Sequence, residues 1–216
     1  MLAPLKWIND YVDDIAPQTF ADMMTMSGSK VEELIEPGKE ISNVVTGRIL
    51  KIEKHPHADR LLVCQVDAGS GVIQIVTGAG NVREGNMVPV ALHGSSLPGG
   101  VRIKRGKLRG MESDGMMCSS LELGLEEEDA VHGIYILPED TPVGRDVKEV
   151  LGLDNVAVDF EITSNRPDCL GMIGLAREAS ATFGRELHLP EVSFAESGER
   201  TEDYIDVEIK DRQLCS

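Results

Sequence analysis

The chain has 216 residues, 41 % of them hydrophobic and 27 % charged, with a formal net charge of -16. This composition argues against disorder over most of the length, and the acidic surplus argues against a generic basic-faced nucleic-acid binder. There is no uninterrupted apolar run of about 18 residues, no basic-then-apolar leader, and no Cys-x-x-Cys among the cysteines at 64, 118, 169 and 215. The expectation is a cytoplasmic chain with reduced thiols.

The charge is uneven. Residues 40–149 carry 12 Lys+Arg against 16 Asp+Glu, a net of -4, whereas the remainder carries 9 against 21, a net of -12. Any contact with a polyanion therefore belongs to a local patch in the middle.

In chain order, residues 1–36 read as mainly helical. Leu5, Ile8 and Val12 fall at helical spacing, Thr19 to Met24 starts a second helix after Pro17, and Gly28 stops it. Lys30 to Leu34 begins a strand. The period then changes to two. Val45–Ile52, Leu62–Asp67, Val72–Val76, Met87–Leu92 and Val101–Ile103 read as five short strands between glycine-rich corners. Such a series predicts a small Greek-key barrel of the oligonucleotide-binding (OB) kind, with Gly47, Gly78, Gly80, Gly94 and Gly110 at bulges and corners. Val156–Ile162 reads as another strand. Cys169–Phe183 reads as a helix with Leu170, Ile173, Leu175, Ala176, Ala179 and Phe183 on one face and Gly184 as its cap. From Pro190 the sequence is acidic and linker-like until Tyr204–Ile209, which alternates as a strand.

Few residues suggest chemistry. His55-Pro56-His57 with Asp59 invites a metal, but the proline and the lack of a further ligand pair favour a strand-ending turn. Gly78-Ala79-Gly80-Asn81 resembles a phosphate loop, yet Arg83 replaces the third glycine, so a tight turn is expected. Cys118 reads as a buried structural cysteine rather than a hydrolase nucleophile. One patch remains: Arg102, Lys104, Arg105, Lys107 and Arg109 place five cations within eight residues. On an extended strand, 102 and 104 share one face while 105, 107 and 109 share the other. The pattern suits a phosphate-tracking groove or a charged edge strand that resists aggregation. Tyr135 is the sole aromatic residue in 40–149, so recognition of RNA backbone or shape is expected over stacking on several rings. The acidic run Glu126-Glu127-Glu128-Asp129 restricts the face available.

Several of these segments together resemble a known family. Gly47-Arg48-Ile49 with His55-Pro56-His57-Ala58-Asp59-Arg60-Leu61, then Ile75 to Val82, Lys107 to Met116 and Glu122-Leu123-Gly124-Leu125, are similar to an EMAP-like tRNA-binding module. The flanks Pro4 to Ile8, Ser27 to Glu32 and Glu161 to Gly171, followed by Ile173 to Glu178, resemble the N-terminal region of bacterial phenylalanyl-tRNA synthetase β subunits. Ser164 stands where that family commonly has proline. The resemblance implies an α+β fold: an OB-fold barrel at 40–149 inserted into a discontinuous α/β domain of residues 1–39 and 150–190. Residues 191–216 would form a linker and the start of a further domain. It implies a ligase of two α and two β subunits, with tRNA(Phe) and the α subunit as partners. ATP and magnesium would act in the α subunit, leaving this region non-catalytic and without a cofactor. The alternative is a purely structural docking module with no RNA contact.

Overall fold

A computed structural model describes residues 1–125 and 133–214. Four elements come first: β1 (Leu2–Pro4), α1 (Leu5–Asn9), α2 (Pro17–Ser27) and β2 (Val31–Ile35). Strands then dominate: β3 (Ser42–Lys54), β4 (Leu62–Asp67), β5 (Val72–Thr77), β6 (Met87–Leu97), β7 (Val101–Arg102), β8 (Gly106–Leu108), β9 (Met111–Ser113) and β10 (Gly115–Met117). Last come α3 (Val147–Leu151), β11 (Ala157–Phe160) and α4 (Met172–Phe183). The result is a mixed α and β molecule dominated by antiparallel sheets.

The two ends of this order meet in one three-stranded antiparallel sheet, β1-β11-β2, with Ala3 opposite Val158 and Leu34 also opposite Val158 on the other side. Helices α1, α2 and α4 cover it. Pro17 presets the first turn of α2, and Gly28 ends that helix at a φ of +111°. Ile8, Phe20, Met24, Phe160, Leu175 and Ala179 are fully or almost fully buried in a single apolar cluster. At its centre Phe20 meets Phe160 edge-on at 6.2 Å and stacks near-parallel on Phe183 at 6.0 Å. Such pairs add to the burial of each ring. Strand β1 falls inside the stretch read as mainly helical. Only its pairing with a segment more than 150 residues away makes it a strand, and no local pattern encodes that.

Helix α4 begins at Met172, after a 3-10 turn at Pro167–Leu170. Leu175, Ala176 and Ala179 face inward as expected, whereas Leu170 and Ile173 are 62 % and 42 % exposed. Asp168 does not cap the helix; Gly171 holds that position without a side-chain bond. The Asp168 carboxylate is instead engaged by Arg166. Helix and turn press together at Gly174, where a Cβ would stand 1.7 Å from the Asp168 carbonyl oxygen.

The larger sheet runs β10-β6-β3-β4-β5, every neighbour antiparallel. It curls until its edges meet. The Asp114 N–H donates to Gln74 O at 2.8 Å, Val76 N–H to Ser113 Oγ at 3.1 Å, and Gln74 Nε2 to Glu112 O at 2.7 Å. Ile49, Val66, Ile75, Val88 and Val90 fill the inside. Gly47 allows strands to crowd there, because a Cβ would lie 2.7 Å from Val90 Cγ2 and 2.9 Å from Val66 Cγ1. A second apolar cluster, including Ile41, Leu97, Cys118 and Val147, seats α3 against the outer side. Four of the five expected middle strands form as read. The fifth shrinks to β7, and the closing role falls to β8, β9 and β10, too short to show any alternation.

Beyond α4, the strand expected at Tyr204–Ile209 does not form, and among the described residues nothing pairs with it. Ile205, Val207 and Ile209 are exposed. A lone strand leaves its backbone groups to water and gains no burial.

Two substitutions test this packing. Phe20→Ala should destabilise the chain by about 3–5 kcal/mol in urea unfolding, because Phe160 and Phe183 lose their common partner. Gly174→Ala should lower Tm, although alanine in a helix interior is ordinarily worth about 1 kcal/mol over glycine. A raised Tm would mean that the 167–170 turn moves aside at little cost.

Candidate functional site

The projecting feature of the larger sheet is the β8–β9 hairpin. Gly106 pairs with Ser113, Lys107 with Glu112 and Leu108 with Met111, leaving Arg109-Gly110 as a two-residue loop. Both loop residues have positive φ, +48° and +93°. That is the signature of a type I′ turn, whose twist matches its strands. The hairpin is tied down by His55: its Nε2 bonds the Leu108 carbonyl at 3.1 Å, while its Nδ1 accepts from the His57 N–H at 3.1 Å. Nδ1 is thus the acceptor, so Nε2 carries the proton and donates. His55 is buried with both ring nitrogens engaged, which makes the His-Pro-His segment a strut under the hairpin.

The five expected cations all lie here, but not on one continuous strand. β7 ends at Arg102 and β8 begins at Gly106, so the two-faced alternation over 102–109 is not realised. Ile103 instead bridges back to Ser95 and Gly94 through backbone hydrogen bonds. Arg105 donates its N–H to His93 Nδ1, and its guanidinium lies 3.1 Å from Asp114. Lys107 lies 3.4 Å from Glu112, its cross-strand partner. Among the described residues, no carboxylate stands within ion-pair distance of Arg102, Lys104 or Arg109. The acidic run at 126–129 lies outside the described residues.

Beside the hairpin is an open groove of about 460 Å³. Its walls come from the end of β5 at Thr77 and Gly78, from Gly106 and Leu108 of the hairpin, and from Ile103 and Met116; Arg102 and Lys104 also line it. The cations were legible as a run, but the apolar walls were not, because they come from four separate segments. The Gly78–Asn81 turn is held by Ala79 N–H donating to Thr77 Oγ1, and by Asn81, whose amide bonds both the N–H and the carbonyl of Ile134.

Elsewhere, burial pushes the Cys118 thiol up to about 12 and the Cys64 thiol up to about 11. Both are therefore thiols, weak nucleophiles at neutral pH, and the hydrolase reading finds no support. Arg166 forms a node that the sequence did not reveal. Its guanidinium takes Asp168 in a fork at 3.1 and 2.8 Å and Glu178 at 2.7 Å, and donates to Cys169 Sγ at 3.1 Å. Hydrogen bonding by Arg166 holds the Asp168 carboxyl down to about 2. A depressed carboxylate contributes to folding above its ordinary range, and the contribution is lost as pH falls toward the lowered value. Carboxyl-carbon NMR should place the Asp168 midpoint near 2, and Arg166→Ala should return it to the ordinary range of about 3.9.

Comparison with known proteins bears on the same region. A family model described as "Putative tRNA binding domain" matches residues 44–146. Over 218 aligned residues the chain is 57 % identical to the phenylalanine–tRNA ligase beta subunit of Clostridium acetobutylicum, covering 100 % of this chain and 27 % of that protein. The corresponding subunit of Clostridium tetani is 53 % identical with the same coverage. The chain thus spans about a quarter of the length of the curated relatives it matches. Among solved structures, a MetRS related protein from Pyrococcus horikoshii is 28 % identical, covering 47 % of this chain and 85 % of its own, at a TM-score of 0.34.

Proposed function

For a chain that belongs to the phenylalanine–tRNA ligase β-subunit family, we propose a non-catalytic role in aminoacylation: holding tRNA(Phe) by its backbone. The curled sheet of 40–149 is the RNA-facing unit, an OB-type barrel inserted in a discontinuous α/β domain of residues 1–39 and 150–190. The topology supports this, since five antiparallel strands close edge to edge. Residues 191–216 serve as a linker toward further parts of the ligase. In the assembled enzyme this chain works in the cytoplasm beside the α subunit, in an (αβ)2 assembly.

One observation carries the reading. Arg102, Lys104 and Arg109, three cations without a carboxylate partner among the described residues, sit along one groove and at the tip of the hairpin that walls it. Arg105 and Lys107, paired with Asp114 and Glu112, are already neutralised locally. Unpaired cations can exchange condensed counterions of a nucleic acid for themselves. Each phosphate so neutralised contributes roughly -0.9 to the log–log salt slope on duplex. Three contacts give a modest, strongly salt-dependent affinity, suited to positioning a substrate held chiefly elsewhere. The I′ turn fixes the backbone at Arg109, so only its side chain has to be ordered on contact.

Activation of phenylalanine with ATP and magnesium is assigned to the α subunit. Among the described residues no group of three or more His, Cys, Asp or Glu is arranged to hold a metal ion. On this proposal no chemical step is assigned to this chain. Its residues position and orient the tRNA, and its acidic remainder repels RNA from other faces.

Titration with phenylalanine tRNA and with an unrelated tRNA at two salt concentrations tests the proposal. Binding should weaken steeply with salt. The triple variant Arg102→Ala, Lys104→Ala, Arg109→Ala should flatten the slope by about 2–3, whereas Arg105→Ala with Lys107→Ala should change it by much less. No binding at low salt would support a docking module without RNA contact.

A further inference from the structure

The groove beside the hairpin holds more than its cations explain. A surface that only tracks phosphates needs no apolar walls, yet this open groove of about 460 Å³ has Ile103, Leu108 and Met116 in its lining. That volume is in the range of small-ligand sites. Two of its wall residues, Gly78 and Gly106, are glycines that the fold does not require. Neither has a left-handed φ, and an added Cβ would meet nothing closer than Leu61 Cδ2 at 3.6 Å and Lys104 O at 4.0 Å. Gly115 on the same wall differs, because a Cβ there would lie 2.6 Å from Ala91 O. At 78 and 106, then, the missing side chain serves the empty space. Glu122 also lines the groove, so the lining is of mixed charge and unsuited to a run of phosphates alone.

We infer that this groove receives one unstacked nucleotide of the bound RNA, its base against Ile103 and Met116 and its phosphate beside Arg102 and Lys104. The inference rests on the RNA-binding reading above. No aromatic ring is needed: a methionine thioether and branched aliphatic carbons cover the face of a flat base and gain from its polarisable surface. Unpaired loop nucleotides of a folded RNA can be splayed out in this way, and a fully paired stem cannot supply one.

The test uses the chain labelled with carbon-13 at its methionine methyls, with the Met116 resonance assigned through Met116→Leu. Addition of phenylalanine tRNA at low salt should shift the Met116 methyl, and a fully paired RNA duplex should leave it in place. Gly106→Leu fills the groove without changing charge, so it should abolish the shift and weaken tRNA binding about tenfold while leaving the salt slope intact. Gly78→Leu repeats the experiment from the opposite wall if Gly106→Leu disturbs the hairpin. Salt-dependent tRNA binding with an unmoved Met116 methyl and unaltered affinity in both leucine variants would overturn the groove proposal and leave the RNA-binding reading standing. Absence of any tRNA binding would overturn both.

Discussion

The structure depends on the pairing of β11 with both β1 and β2. This small sheet brings residues near position 3 and position 34 against residue 158, so everything between must leave and return at nearly the same place. Closing so long a loop costs entropy that grows only slowly with length. The buried rings of Phe20 and Phe160, with the half-buried ring of Phe183 stacked on Phe20, oppose that cost at the junction. A second, independently closed sheet is a natural solution for the intervening chain, because closure leaves no long unpaired edge beside its host. The close approach of Gly174 to Asp168 and the bonds of Arg166 to Asp168 and Glu178 secure the 167–170 turn against α4, whose Leu175 and Ala179 join the cluster under the same sheet.

Closure also sets up the groove. Strand β10 comes up to β5, and of the short hairpin before it β9 is bonded to β5 while the tip at Arg109-Gly110 projects. His55, fixed in one tautomer by the neighbouring backbone, holds that hairpin from below. The cations at 102, 104 and 109 and the apolar walls thus share one origin: each lies on the irregular path by which the last strands complete the sheet. On the proposed reading, a chain with net charge -16 would meet RNA through the cluster at 102, 104 and 109 on that path, which has no carboxylate partner among the described residues.

How much of this the sequence carried depended on whether a feature is local. Strands β3 to β6 were legible because their β-branched residues alternate over six or more positions. The ends of α2 and α4 were legible because Gly28 and Gly184 adopt the left-handed conformation that stops a helix. The cation run was visible as residues, but its geometry was not. The Ile103 N–H donates to Ser95 O and its carbonyl accepts from Gly94 N–H, continuing the pairing with β6 as a bulge, and the chain leaves that ladder before β8; Asp114 and Glu112 claim two of the five charges. β1 depends on a partner more than 150 residues away, and Asp168 bonds Arg166 rather than the first turn of α4. Those outcomes are settled by tertiary contacts, which periodicity does not encode. The segment at Tyr204–Ile209 shows the converse: an alternating pattern yields no strand without a partner to pair with.

The central claim is that the β8–β9 hairpin touches RNA. It is tested most directly by placing a photo-crosslinking side chain at Glu112, beside the hairpin tip, in the complete ligase with tRNA(Phe) bound, and a second at Glu33 in β2 as a control. The account predicts a tRNA adduct from position 112 that disappears at high salt, and none from position 33. Crosslinks from position 112 to protein alone, at every salt concentration, would contradict it.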